Sequence, residues 1–460
     1  MTTLWSGRFD AEPDPGAFTF GASFRFDRRL FDEDVTGSIS WARALGRAGV
    51  LPHSEADQIE KTLAAILERG RSDPSFVDGN DEDVHSFVER VLVERLGDLG
   101  RRLHTGRSRN EQVSLDLRLY LMGRVPALQR GVAQVVAALA DQAASAGEAV
   151  MPAFTHFRFA QPVLVAHFFL AHVAALRRDH RRLALARDDA DALTLGSGAV
   201  AGTSYEIDVE ALARDLGFSR IVANSIDASS DRDFVASFQF ACAMTMVHLS
   251  RLAEDFIILC GEGHHFFEFS DALSTGSSMM PQKKNPDPLE LVRGKTGRAI
   301  GHLVALLTTM KGLPSGYNKD LQEDKQAVFD AEDTLAGCLA VTRAVVLGLT
   351  LDRDRAARAA SGLLLATDVA DYLVRRGLPF RRAHEVVGGL VRTLVAEGRE
   401  FDSLSMQEWR AVSDLFGADI VSHVTPSASV AAKRTPQSTA PKAVGRALAD
   451  VKAWLAGGGG

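Results

Sequence analysis

Apolar residues recur at helical spacing over five long stretches in the middle of the chain. In the first stretch, Val113, Leu117 and Leu121 repeat every four residues, which is typical of a helix with one apolar face. The predicted helices contain 23 to 38 residues, two to three times the usual mean of about 12. They cover Asn110 to about Gly147, Pro162 to about Leu193, Asp233 to about Cys260, Pro288 to about Met310 and Asp320 to about Leu349.

Prolines and mixed faces add detail to this pattern. Pro162 and Pro288 are expected in the first helical turn, where a backbone N–H is not needed. Pro126 lies inside the first helix and is expected to bend it once. Apolar residues on more than one face, as at 256–259, cannot all be buried within one small domain. The pattern therefore predicts a mainly all-α fold, in which five long helices form a bundle that packs against other copies of the chain.

Shorter helical patterns flank the bundle and indicate three domains. Residues 1–106 form a mixed helical domain, 107–358 the central bundle and oligomerisation domain, and 359–460 a small helical domain. In the first of these, Ser54 is expected to cap a helix that carries Ile59, Leu63 and Ile66. The other predicted short helices are Phe87 to Leu96, Thr367 to Arg376, Phe380 to Glu397 and Ser405 to Phe416.

Composition narrows the class of protein. Hydrophobic residues make up 46% and charged residues 24% of the chain, as in ordinary soluble globular proteins. A net charge of −7 argues against general nucleic-acid binding, and no apolar run reaches the roughly 20 residues that span a bilayer. The first residues lack the features of a signal peptide. Cys242, Cys260 and Cys338 are widely spaced in apolar segments and are expected to stay reduced, which indicates a cytoplasmic protein.

Four polar clusters interrupt the helical pattern, each just before a predicted long helix. They lie at 104–110, 155–162, 276–287 and 317–325. The start of a helix has unpaired N–H groups and a partial positive charge, so it suits an anion. The clusters add further positive charge to a net-acidic protein through Arg107, Arg109, Lys283 and Lys325. The sequence therefore predicts a small substrate with several carboxylates.

The third cluster also carries a family resemblance. Its pattern, Gly276-Ser277-Ser278-x-Met280-Pro281-x-Lys283-x-Asn285, resembles the signature loop of the fumarase/aspartase superfamily. Further segments resemble the argininosuccinate lyase family, and the match covers nearly the whole chain. They lie at 82–85, 103–110, 224–233, 282–287, 317–325, 367–368 and 381–384.

The resemblance implies an activity and a set of partners. The reaction would be the reversible β-elimination of argininosuccinate to arginine and fumarate, without a metal ion or an organic cofactor. The assembly would be a homotetramer whose active sites are shared between subunits. Nucleic acid and membranes are not expected as partners. Two other interpretations stay open: a sister lyase acting on adenylosuccinate, aspartate or malate, and a crystallin-like structural protein with little or no activity.

The resemblance also implies roles for single residues. Ser277 would be the general base, and Lys283 and Asn285 would hold the substrate carboxylate. His156 would lie near the leaving guanidinium nitrogen as acid or relay, oriented by Glu290. The remaining matched positions would bind substrate: Ser23, Asp83, His85, Arg107, Ser108, Arg109, Asn110, Thr155, Gln161, Tyr317, Gln322 and Lys325.

The chain departs from the family pattern at a few positions, none of which removes a residue that the elimination requires. They are Ser6, Ala153-Phe154, Arg158-Phe159 and Gln437-Ser438. Arg158 matters most because it adds a cation two residues from His156. It could bind a substrate carboxylate, repel the protonated form of His156, or face solvent.

Helix length separates the candidate residues. The first helix, about 38 residues at 1.5 Å each, would hold its two ends roughly 50 Å apart. An up-and-down count places Asn110, Tyr317 and Lys325 at one end of the bundle, and His156 and Ser277 at the other. One chain could not bring both groups to one small substrate. This predicts that each site borrows residues from a neighbouring subunit.

Overall fold

A computed structural model describes residues 14–458, and helices dominate this part of the chain. In chain order the helices are α1 (Pro15–Gly21), α2 (Phe24–Asp27), α3 (Phe31–Arg47), α4 (His53–Ser72), α5 (Val84–Leu96), α6 (Asp98–Arg101), α7 (Arg109–Ala146), α8 (Val165–Ala190), α9 (Val209–Leu216), α10 (Ser225–Ser230), α11 (Asp233–Cys260), α12 (Asp287–Met310), α13 (Asp324–Leu347), α14 (Arg353–Ala359), α15 (Ala366–Arg375), α16 (Phe380–Glu397), α17 (Met406–Val412), α18 (Ile420–His423), α19 (Pro426–Ala431) and α20 (Pro441–Ala456). The mainly helical fold class and the five long helices α7, α8, α11, α12 and α13 are confirmed.

Within residues 14–458, six short strands form three antiparallel pairs, which were not predicted from the sequence. The strands are β1 (Val150–Thr155), β2 (Arg158–Leu164), β3 (Phe267–Glu268), β4 (Thr275–Gly276), β5 (Lys284–Asn285) and β6 (Thr350–Leu351). β1 pairs with β2, β3 with β6, and β4 with β5.

Several sequence predictions about helix starts were wrong. The fifth long helix, α13, begins at Asp324 and not at Asp320, which lies in a short 3-10 turn. Pro162 lies in β2, opposite Pro152, and α8 begins only at Val165. A proline is tolerated there because each strand of a two-stranded sheet is an edge strand. Ser54 is not a cap, since α4 already begins at His53 and its N-cap, Pro52, has no side-chain hydrogen bond.

The proline inside α7 does not end that helix, which runs unbroken through Pro126. Proline has no N–H to donate to the carbonyl four residues earlier, that of Met122. Arg187 donates its Nε–H to this carbonyl at 3.4 Å. A side chain from a later part of the chain therefore satisfies the acceptor that the proline leaves open.

The chain divides into two compact units, and the division falls within each of the five long helices. The first unit comprises residues 14–129, 182–244 and 297–335, and the second comprises 130–181, 245–296 and 336–458. Each unit is described by itself below. The three domains inferred from the sequence remain a prediction.

Each unit has its own apolar core. In the first unit, Phe87 of α5 stacks on Phe24 at 5.2 Å and meets Phe31 edge-on at 6.2 Å. Gly70 of α4 allows the close approach of Phe31, because a Cβ at this glycine would lie 2.3 Å from the ring. In the second unit, helices α15 to α17 pack around Trp409, which is 1% exposed. Within residues 14–458, no helix is both long and apolar enough to cross a membrane.

Candidate active site

The residues around Ser277 form a loop closed by two short strands of the second unit. Thr275 pairs with Asn285, and Gly276 with Lys284, so β4 and β5 close what we call the serine loop (residues 277–283). The sequence analysis placed no strand in this stretch, and that prediction was wrong at both ends of the loop. Two-residue strands are too short to produce a hydrophobic alternation in the sequence.

The serine loop directs two backbone N–H groups at the hydroxyl of Ser277. The Oγ atom accepts from the Met280 amide at 3.0 Å and from the Met279 amide at 3.3 Å. Donors in this position stabilise negative charge on an oxygen. The loop therefore has the geometry to support a serine alkoxide, which is the form in which a serine can act as a base.

The other predicted loop residues lie close by in the chain. Asn285 donates its Nδ2–H to the Thr275 hydroxyl at 3.5 Å, and that hydroxyl donates to Asp287 at 2.6 Å. Lys283 and Glu290 are exposed, with Glu290 in the first turn of α12. Both side chains are therefore available to a ligand or to another copy of the chain.

His156 lies at the tip of the hairpin formed by β1 and β2. Thr155 pairs with Arg158, so His156 and Phe157 form a two-residue turn. Their φ angles are 53° and 55°, the left-handed values of a type I′ turn. Such turns favour Asn and Gly, so a histidine followed by a phenylalanine is strained here. The turn fixes the direction of the His156 backbone at the cost of this strain.

Aromatic packing holds the hairpin in place. Phe154 and Phe159 on the two strands lie 5.2 Å apart, and both contact His264, at 5.3 and 5.6 Å. These positions belong to the departures from the family pattern, where phenylalanines replace other residues. In this chain the departures therefore form an aromatic cluster beneath the hairpin.

We expect Phe157→Gly to stabilise the fold by about 0.5–1 kcal/mol. Glycine relieves about 1–2 kcal/mol of left-handed strain and costs about 0.5–1 kcal/mol in chain entropy, while Phe157 is 82% exposed and loses little packing. Chemical unfolding measures the difference. Arg158→Gly is the control, because Arg158 is the next residue, is also exposed, and has no positive φ. If both variants lower the stability equally, the turn is not strained.

The remaining predicted residues of the hairpin, Thr155, Arg158 and Gln161, are exposed. Of the three alternatives given for Arg158, the single chain agrees with the one in which its side chain faces solvent. Among residues 14–458, no hydrogen bond joins His156 to Glu290, so the orienting role of Glu290 stays a prediction.

The predicted binding residues of the first unit are by contrast largely buried, and Asp83 is central among them. Asp83 caps α5 by accepting the Ser86 amide at 2.7 Å, and Arg109 donates to both of its oxygens at 2.8 and 3.0 Å. Burial raises the pKa of the Asp83 carboxyl, but Arg109 and His85 lower it more, so its net pKa lies below the usual value. Asp83 is therefore a charged carboxylate that fixes Arg109.

Lys325 lies in a second buried group at the start of α13. Its ammonium donates to Asp324 at 3.0 Å, and Arg232 donates to the other oxygen of that carboxylate at 2.5 Å. All three side chains are at most 3% exposed. Gln322 donates to the Gly21 carbonyl at 3.1 Å, two residues before buried Ser23, which donates to Asp27. Burial raises the pKa of nearby Tyr317 to about 12.

The start of α7 holds the remaining predicted residues. The Ser108 amide donates to Glu111 at 2.9 Å, and the Gly198 amide donates to its other oxygen at 3.0 Å. Glu111 is fully buried, and burial raises its pKa to about 7 despite these bonds. Asn110 donates its amide to the Ser108 hydroxyl at 3.2 Å. The hydrogen bond from the Ser108 amide to Glu111 thus holds the loop before α7 against the first turn of that helix.

Sequence analysis missed a buried carboxyl cluster, which we define as Asp34, His85 and Asp116. His85 Nδ1 lies 2.8 Å from Asp34 and 3.3 Å from Asp116. The three ligand atoms are within 4.8 Å of one another, as in a metal site. Buried Arg107 already brings a positive charge to this cluster, which disfavours a further cation.

A proton shared between the two carboxyls accounts for the cluster better. Three of the four oxygens of Asp34 and Asp116 have no hydrogen-bond partner within the described chain, so a donor is needed between them. Burial and the charge of Asp34 raise the pKa of Asp116 well above its usual value. Burial also opposes the charge on Asp34, but His85 and Arg107 outweigh it and lower the pKa of that carboxyl. We therefore place the proton on Asp116.

We expect Asp116→Asn to raise the midpoint temperature of thermal unfolding at pH 8. The free energy of unfolding should increase by an amount on the order of 1 kcal/mol. The folded-state pKa is raised, so keeping Asp116 protonated in the fold costs stability above the unfolded pKa and costs nothing at pH 3, where both states are protonated. The matched variant Asp34→Asn should destabilise at pH 8, because it removes the charged partner of His85. Equal effects of the two variants would place the proton elsewhere.

A signal for this cluster is present in the sequence. Asp34 and Ser38 continue the apolar spacing of Phe31 and Val35 on α3, and Gln112 and Asp116 do so on α7. Polar residues on the apolar face of a helix are expensive to bury unless they are paired. Their presence there could have indicated a buried polar network.

The structure thus collects the candidate residues in two sets. What we call the buried set, in the first unit, contains buried Ser23, Asp83, His85, Arg107 and Lys325 together with half-buried Ser108, Arg109, Asn110, Tyr317 and Gln322. The exposed set, in the second unit, contains Thr155, His156, Gln161, Ser277, Lys283, Asn285 and Glu290. Of this second set, Ser277 and Asn285 are half-buried.

Long helices that carry a serine loop of this kind define a lyase of the fumarase/aspartase superfamily, and comparison with known proteins agrees. Residues 7–301 match a family described as "Lyase", and residues 363–431 match "Argininosuccinate lyase C-terminal". The argininosuccinate lyase of Moorella thermoacetica is 48% identical over 99% of this chain and 98% of its own. That of Pelotomaculum thermopropionicum is 47% identical over 96% and 97%. The chain belongs to the argininosuccinate lyase family.

Solved structures agree with the fold. A crystal structure of EDDS lyase in complex with formate is 26% identical, with a TM-score of 0.84 over 98% of this chain and 93% of that one. A fumarate lyase from Mesorhizobium sp. BNC1 is 20% identical, with a TM-score of 0.76 over 93% and 99%, and supports the fold alone. The departure at Ser6 lies outside the described residues.

Proposed function

We propose that this chain converts argininosuccinate to arginine and fumarate at sites shared between subunits of a homotetramer. Argininosuccinate lyase function follows from family membership over almost the full length. The division of labour among residues, the shared sites and the tetramer are our proposal. The observation that carries the mechanism is the pair of N–H groups directed at Ser277 Oγ.

The chemistry requires a base that can remove a very weakly acidic proton. In our proposal the Ser277 alkoxide, stabilised by the Met279 and Met280 amides, takes the proton from the carbon next to a substrate carboxylate. Negative charge then accumulates on that carboxylate as an aci-carboxylate, and Lys283 and Asn285 stabilise it. The C–N bond breaks next, leaving fumarate.

The leaving nitrogen must gain a proton as the C–N bond breaks. We assign this role to His156, and its exposed position at the tip of a hairpin supports the assignment, because the imidazole is accessible to a substrate. As acid or relay it would hand the proton to the guanidinium nitrogen of the departing arginine. The buried set of the first unit would bind the rest of the substrate through Arg107, Asn110 and Lys325.

Exposure supports a shared site. Elimination through a charged intermediate needs a preorganised environment that excludes water, yet His156 and Lys283 are exposed in the single chain. An exposed apolar face on α12 also supports assembly, because Ile300, Val304 and Leu307 are 42%, 57% and 48% exposed. Their spacing puts them on one helical face. Packing against another copy would cover this face.

Fumarate absorbance tests the proposed function directly. We expect the purified protein to produce fumarate from argininosuccinate, and to produce little from adenylosuccinate, aspartate or malate. Faster turnover of one of the last three substrates would identify a sister lyase. No turnover of any of them would identify a crystallin-like protein, and either result would reject the proposal.

A further inference from the structure

Lys284, the neighbour of Lys283, binds three acceptors at once. Its ammonium lies 2.8 Å from Glu268 Oε1 and 2.9 Å from Asp271 Oδ1, and it also donates to the Phe269 carbonyl. An ammonium has three N–H donors, so the hydrogen-bonding capacity of Lys284 is fully used. A side chain engaged in this way is not available to bind a substrate carboxylate.

The three acceptors belong to the segment that leads into the serine loop. Glu268 lies in β3, which pairs with β6, and Asp271 begins a short 3-10 turn, Asp271–Leu273. Lys284 lies in β5, at the other end of the loop. Its side chain therefore ties the exit of the serine loop to its entrance, and through β3 to the body of the second unit.

Strand geometry sets the direction of the neighbouring side chains. Successive side chains of a strand point to opposite faces. Since Lys284 points towards Glu268 and Asp271, Asn285, the other residue of β5, points the other way. Asn285 is one of the two residues proposed to hold the substrate carboxylate, and the other, Lys283, directly precedes Lys284 at the end of the serine loop.

We propose that Lys284 is a positioning residue that holds the serine loop in register, so that Lys283 and Asn285 face the substrate together with Ser277. The inference rests on the proposed function, because it assigns a use to the loop geometry. Hydrogen bonding to Glu268 and Asp271 outweighs burial and raises the pKa of Lys284, so the side chain is a charged ammonium at neutral pH. Lys284 is 30% exposed, so the contact is accessible to mutation without opening a core.

The experiment compares Lys284→Met with wild type in turnover and in amide hydrogen exchange of the full protein. We expect kcat to fall on the order of 10- to 100-fold, because small displacements of catalytic groups are costly, with KM changed less than threefold. Amides of residues 277–283 should exchange faster. Lys284→Arg should recover part of the turnover, because it keeps the charge beside Glu268 and Asp271. Lys452→Met, at an exposed site on α20, controls for the loss of a lysine.

A double-mutant cycle with Glu268→Gln identifies the contact. Glu268→Gln should lower kcat in wild type and change it little in Lys284→Met, because the partner is then already absent. Unchanged kcat in Lys284→Met overturns the inference. So does a lower kcat with unchanged exchange in 277–283, which would mean that Lys284 contacts substrate directly. If the wild type makes no fumarate, the proposed function fails, while the exchange measurement still decides whether Lys284 orders the loop.

Discussion

Ser277→Ala is expected to lose about 10²–10⁴-fold of the turnover, the usual contribution of a general base. The change in KM should be smaller, because a base acts in the transition state and contributes little to ground-state binding. The structure gives the physical reason, since the Met279 and Met280 amides can stabilise an alkoxide only at this hydroxyl of the loop. Steady-state kinetics on argininosuccinate measure both constants.

Ser278→Ala is the matched control for this experiment. Ser278 has the same hydroxyl one residue later and is exposed, and we expect its loss to change kcat less than about threefold. If Ser277→Ala keeps more than a tenth of the wild-type turnover, Ser277 is not the base. If Ser278→Ala is instead the inactive variant, the base has been assigned to the wrong serine.

Two inactive variants should restore activity when they are assembled together. His156→Asn and Lys325→Met are each expected to be nearly inactive, because one lacks the proposed acid and the other a buried cation of the binding set. After the two variants are unfolded and refolded together, some sites of the mixed assembly would contain His156 from one chain and Lys325 from another, with both residues wild type. Measurable fumarate production should then appear and should depend on the mixing ratio.

The control for this experiment is a pair of variants from one unit. Asn110→Ala and Lys325→Met both alter the first unit, so we expect little recovery when these two are mixed. Recovery in neither mixture would mean that a complete site is built within one chain. That result would reject the shared site and leave the reaction itself untouched.

The long helices were predictable because their apolar period extends over many turns. The long helix Asp233–Cys260 agrees with the sequence prediction at both ends, as does the shorter helix Phe380–Glu397. The signature around Ser277 was equally visible, because the chemistry needs particular residues at fixed spacing. A long apolar period and a short motif with fixed spacing are the two signals that a single sequence carries well.

The contacts that position the site were not predictable in the same way. The hairpin at Thr155–Arg158 depends on a strained turn at His156, which no local propensity favours. The buried carboxyl cluster brings together Asp34, His85 and Asp116, which are 51 and 31 residues apart in the chain. The strength of their interaction depends on how deeply they are buried, and burial cannot be read from the sequence. Tertiary packing decides both features.

The pairing of β4 with β5 has a consequence for how the two strands keep one alignment and do not shift by one residue. Lys283 and Lys284 have the same side chain. If β5 slipped by one residue against β4, Lys283 could therefore take the place of Lys284 beside Glu268 and Asp271. The other side chains of the strand would then point to the opposite face. The lysine charge therefore needs a second contact to fix the alignment that Lys284 holds. Thr275 supplies one, because its hydroxyl donates to Asp287 and accepts from Asn285.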